Sequence, residues 1–275
     1  MTHRTDIKTT AGAILLALAL ALAVAAADAA DAPQRTYPSG FKVALKLGGE
    51  LYEALPDKFA NQVDAQAISL QPQDVPVVSP VAVTEDSRVV RQVSVSAGFI
   101  DLANHICHAK AVDRIQPGFF EQYVNNLLRV TGEDFAVQPP GIVDPRYWTD
   151  DVMNDQLSYF NQMIGMIVAV NLSHHYLGHF AKYAPRMIGA GNKTTPINTF
   201  LTEAEWDVTI KAGVVNALNC ALATDGPRAL FEAIDKMPHR PQWTAYILPQ
   251  YVDVKKLNLK LAKYEDDFFH GRLKP

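Results

Sequence analysis

The chain is poor in cysteine, in net charge, and in long apolar runs beyond its first thirty residues. Net charge is −4 with both signs interspersed, so the basic footprint of a nucleic-acid-binding protein is missing. Only Cys107 and Cys220 occur. That allows one disulfide in an oxidising compartment, tying the His105/His108 segment to the helix after Glu203, or two buried free thiols. There is no C-x-x-C-H for attached haem and no paired E-x-x-H helices of a di-iron bundle. No internal repeat is present. What the chain does have is length and apolar content. About half of 275 residues are apolar, enough for one good-sized core, with or without a small appendage.

The first thirty residues read as a targeting segment. Arg4 and Lys8 precede an apolar run from Ala11 to about Ala27, and small residues follow at 27–32, a pattern suited to signal-peptidase cleavage. The expectation is a signal peptide over 1–30 and a periplasmic or secreted protein, with no stable membrane span after its removal. Residues 31–87 are broken by Pro33, Pro38, Pro56, Pro72, Pro76 and Pro80 and read as an extended, wrapping segment. Within it, 45–52 fits a strand or a short helix, and 75–83 a proline-limited edge strand. Residues 88–275 are expected to form the main, helical domain.

In that domain Val89 to Ser96 alternates apolar and polar residues, predicting a strand. Gly98 allows a turn into a helix on which Asp101, His105 and His108 share one face. These histidines could add metal ligands or be hydrogen-bonded packing residues. A helix follows over 119–130, then a loop over 132–145. Thr149-Asp150-Asp151 is a helix start, and the helical pattern continues to about Tyr183. The middle of this helix is apolar all round yet too short to span a bilayer, so it is predicted to be the buried central helix. After a loop, Thr202 and Glu205 form a capping box and open a helix to about Ala223. Further helices are predicted over 228–237 and 254–269. The fold class is therefore α+β, predominantly α, with a small strand or hairpin element.

The central helix carries the densest chemistry. Asn171 to Tyr183 contains His174, His175 and His179. On a continuous helix His175 and His179 lie one turn apart on the same face, a spacing that lets two imidazoles reach one metal ion. Downstream, Glu203 and Asp207 are also four apart. The order of a valine-rich strand, a helix, H-x-x-G-H, and E-x-x-x-D opening a later helix resembles the gluzincin metallopeptidases of the CAAX-prenyl-protease-like type. The resemblance covers roughly residues 88–240. It implies a metallopeptidase-like helical core and a Zn2+ ion held by His175, His179 and Glu203, with Asp207 behind the ligands. The family's catalytic glutamate falls on Tyr176. A phenol near pKa 10 is a poor base at neutral pH, although it can donate to an oxyanion. His174 could serve as the substitute proton acceptor or as an alternative ligand, His105 or His108 could bring a base from the neighbouring helix, and His239 could stabilise an oxyanion.

Three functions follow. The first is a secreted zinc-binding protein of metallopeptidase-like fold, working as a peptide hydrolase. The second is a catalytically inactive relative acting as a binding or scaffold protein. The third is a histidine-rich helical two-metal protein. In the first two the partner is a peptide or protein.

Overall fold

In the computed structural model, residues 37–188 and 194–273 are described; the signal peptide expected over 1–30 lies outside them. In chain order the helices are α1 (Tyr37–Glu53), α2 (Asp57–Ala60), α3 (Ala97–Asp113), α4 (Phe119–Thr131), α5 (Asp150–Tyr176), α6 (His179–Met187), α7 (Glu203–Asn219), α8 (Asp225–Lys236) and α9 (Val254–Phe269). The strands β1 (Ile68–Gln71), β2 (Val78–Glu85) and β3 (Arg88–Ser96) form one sheet of order β1-β3-β2. The described residues are thus an α+β fold dominated by helix.

The valine alternation does produce a strand, and its central place in the sheet explains why its second half is buried on both faces. β3 pairs antiparallel with β2 and parallel with β1. The β2–β3 turn holds Asp86 and Ser87 at φ 47° and 66°, the left-handed pair that matches the twist of a tight hairpin. Pro80 is tolerated because β2 has β3 on one side only.

Residues 37–87 are not a separate wrapping arm. Residues 37–53 are helical, and Ala44, Leu47 and Leu51 bury one stripe at spacings of three and four. Each fully buried leucine on such a stripe stabilises by about 1.5–3 kcal/mol. α1 packs on α3, α5 and β1, and one compact unit begins at Thr36. The expected boundary at 87/88 falls inside the β2–β3 hairpin.

α5 is the central helix, packed by α1, α3, α7 and α8. Thr149 caps it by accepting from the Val152 N–H at 3.5 Å. Its contact with α7 is close because of Gly213: a Cβ there would stand 2.7 Å from the Val170 backbone. Gly98 belongs to the first turn of α3 rather than to a turn before it, and a Cβ would collide with the Asp74 carbonyl. Asp225-Gly-Pro likewise forms the first turn of α8. Among the described residues no helix is long and apolar enough to cross a membrane.

The thiols are free. Cys107 is fully buried with Sγ 4.0 Å from Met163 Sδ, whereas Cys220 Sγ donates to the Glu50 carbonyl at 3.4 Å. They sit in different contacts, so the disulfide does not form.

Candidate functional site

The helix that carries the histidines stops before the motif ends. α5 finishes at Tyr176, Leu177 is its cap, and Gly178 takes φ 77°. No heavy atom stands within 4 Å of a Cβ built on Gly178, so glycine is required there for its backbone conformation, not for space. His179 then starts a second helix, α6. The expected single helix to Tyr183 is two helices, and the one-turn spacing of His175 and His179 is lost.

The two imidazoles accordingly find different partners. His175 Nε2 donates to the Gln92 carbonyl on β3 at 2.9 Å, and its ring lies 4.9 Å from that of Phe180. His179 Nδ1 meets Thr209 Oγ1 at 3.1 Å on α7. Glu203 is exposed and lines a surface hollow with Asp207, Tyr251, Lys256 and Lys260. Asp207 pairs there with Lys260 at 2.6 Å. Among the described residues no three His, Cys, Asp or Glu side chains converge as the ligands of a metal would. In this arrangement His175 is held by β3, His179 meets α7, and Glu203 faces a surface hollow.

Other sequence candidates are placed as follows. Tyr176 is buried and stacks on Phe59 at 4.5 Å. Burial raises its phenol well above the ordinary value, further from use as a base. His108 Nε2 donates to the Tyr147 carbonyl at 2.8 Å and its ring meets Trp148 edge-on. His105, on the same helix, is lowered to about 4 by burial, against the opposing pull of Asp101. These two are packing histidines of α3. His239 is exposed and pairs with Glu133 at 3.0 Å, so it does not serve an oxyanion beside α5. Glu205 does the capping predicted for it, accepting from the Thr202 N–H at 2.9 Å. Burial works to raise its carboxyl, but hydrogen bonds from Lys182, Thr202 and Tyr183 hold it at about 2.

His174 differs from all of these. It is fully buried and neither ring nitrogen has a partner. Burial lowers it to about 3, and the neighbouring His179 and His175 act in the same direction. Its ring centre lies 5.7 Å from that of His179.

Alongside the C-terminal end of α5 runs an apolar groove of about 190 Å³ between the α1–α2 turn and one face of α7. Leu55, Phe59, Tyr176, Leu177 and Val208 line it, with Lys211 and Asn216 among them. The Asn216 side chain is buried, and neither its Nδ2 nor its Oδ1 has a partner. Lys211 makes no ion pair among the described residues. None of Phe59, Lys211 or Asn216 stood out as a site residue. The only sequence signal was a polar Asn216 inside the apolar run of α7. No known protein family matches the chain, and no curated protein and no solved structure matches it either. The gluzincin resemblance therefore rests on its short motifs alone.

Proposed function

We propose that this protein is a non-catalytic binding protein that takes a short apolar peptide segment in the groove beside α7. The observation that carries this reading is Asn216. Its side-chain amide carries two N–H donors and one carbonyl acceptor, with no partner among the described residues for Nδ2 or Oδ1, on a residue that lines an apolar groove. A peptide group presents the complementary pair, so one backbone amide of the ligand satisfies both. The apolar lining receives its side chains. Lys211 supplies an unpaired cation for a carboxylate at the end of the segment. The dispersal of His175, His179 and Glu203 supports binding without hydrolysis. The charged, apolar and small-residue pattern of residues 1–32 supports a periplasmic or secreted setting.

The test is fluorescence anisotropy with end-labelled short peptides of leucine, valine and phenylalanine carrying a free C-terminal carboxylate. Binding is expected to saturate, to be abolished by Ala212→Trp, which fills the groove, and to weaken about tenfold or more on Lys211→Glu. Mass spectrometry is expected to recover the peptide intact. Unchanged affinity in folded Ala212→Trp refutes the reading, and cleaved peptide would restore the hydrolase.

A further inference from the structure

We infer that His174 and His179 form a two-imidazole site for a monovalent d10 metal ion, Cu(I) in chemical class. This does not rest on the groove. Thr209 decides the tautomer of His179. Its hydroxyl gives its one proton to the Glu205 carbonyl at 2.8 Å, an atom that can only accept. The same oxygen can then only accept from His179, so His179 carries its proton on Nδ1. Nε2 is left with a bare lone pair. His174, neutral in either tautomer, holds another lone pair in a fully buried ring with no partner on either nitrogen. Leaving such a group unsatisfied is destabilising, and a bound ion removes that cost.

Distance and charge choose the ion. With metal–nitrogen bonds of about 2 Å, two imidazoles on one ion hold their ring centres from about 5 Å apart at a tetrahedral angle to about 6.3 Å apart in line, and these stand 5.7 Å apart. Both ligands are neutral. The carboxylate whose field reaches His179 is that of Glu205, already held by Lys182, Tyr183 and the Thr202 N–H. A divalent ion would be left with two uncompensated charges in a buried place. A monovalent ion is left with one, and desolvation cost rises with the square of charge. A monovalent d10 ion also accepts two ligands alone, most readily in line, which these rings reach by parting about 0.6 Å. His179 is 8 % exposed against none for His174, so the ion enters past His179.

The experiment uses the full chain, without a histidine tag, in a Cys220→Ser background that removes the more accessible thiol. The protein is loaded with Cu(I) under ascorbate without oxygen and challenged with bathocuproine disulfonate. The expected result is about one Cu(I) retained per chain, with an X-ray absorption shell of two nitrogens and no sulfur. His174→Phe and His179→Gln, each folded by circular dichroism, are expected to lower retention at least tenfold. No retention by the folded parent, a shell containing sulfur or four ligands, or retention unchanged in either folded variant overturns the proposal. Where a variant does not fold, the parent's retention and shell decide.

Discussion

Replacing Gly213 by alanine should destabilise the protein, whereas the same replacement at Gly49 should stabilise it. Both glycines are inside helices, where alanine is favoured by about 1 kcal/mol. At Gly49, in α1, the new methyl meets nothing within 4 Å, so that gain is kept. At Gly213, in α7, the methyl would stand 2.7 Å from both N and Cα of Val170. These are backbone atoms of α5 and cannot rotate aside. Reaching ordinary contact requires the two helices to part by about 0.7 Å, which opens the packing along their shared face. Overpacking of this kind costs about 1–3 kcal/mol, and a backbone clash belongs at the upper end. Set against the propensity gain, the net loss at Gly213 is about 1–2 kcal/mol. Urea denaturation followed by circular dichroism measures both. For a unit of this size the midpoint of thermal unfolding moves about 2–4 °C per kcal/mol, so Gly213→Ala should fall by about 2–8 °C and Gly49→Ala rise by about 2–4 °C. Gly213→Ala as stable as the parent would refute the close α5–α7 contact and the sign of the argument.

Acid should unfold the protein partly through His105. Its folded value is about 4 against an ordinary 6.5 because it is buried, so between those values the unfolded chain binds a proton that the native chain refuses. Stability therefore drops as pH falls from about 6.5 to 4 and levels below that, with a ceiling of about 3 kcal/mol. His105→Leu should flatten that slope in urea titrations, and an unchanged slope would count against it. Both cysteines should react with Ellman's reagent once the chain is unfolded without reductant. In the native state Cys107 should be silent and Cys220 slow, because burial raises Cys107 well above its ordinary value and Cys220 to about 11. No reactive thiol after unfolding would bring the disulfide back.

The elements with a strong local signature were legible. The valine alternation of β3, the Thr149 cap of α5 and the capping box of α7 each rest on interactions within a few residues. α1 was hidden, because the prolines around it and the Gly48-Gly49 pair suggest interruption. What holds it is the stripe of Ala44, Leu47 and Leu51 against α3 and α5, a tertiary term that no local pattern displays. The break after α5 had its signal in Gly178, a glycine just past an apolar helix. Carrying the helical pattern straight through that glycine kept His175 and His179 on one helix. Once the helix ends there, their spacing in sequence no longer fixes their spacing in space. The role of His174 was still less visible, because its isolation depends on what α6 and α7 fail to offer it.

The sheet also sets how this protein behaves among copies of itself. An open sheet is a template on which another chain can add a strand, and the addition can repeat without limit. Here β3 is paired on both sides, so recruitment could only begin at β1 or β2. β1 offers four residues, and Pro80 removes one backbone donor from β2. In any partly folded state that uncovers the sheet, these two edges are what another chain would meet. The short strand and the proline make the sheet a poor nucleus for fibrillar growth at the moment when the protein is most exposed to it.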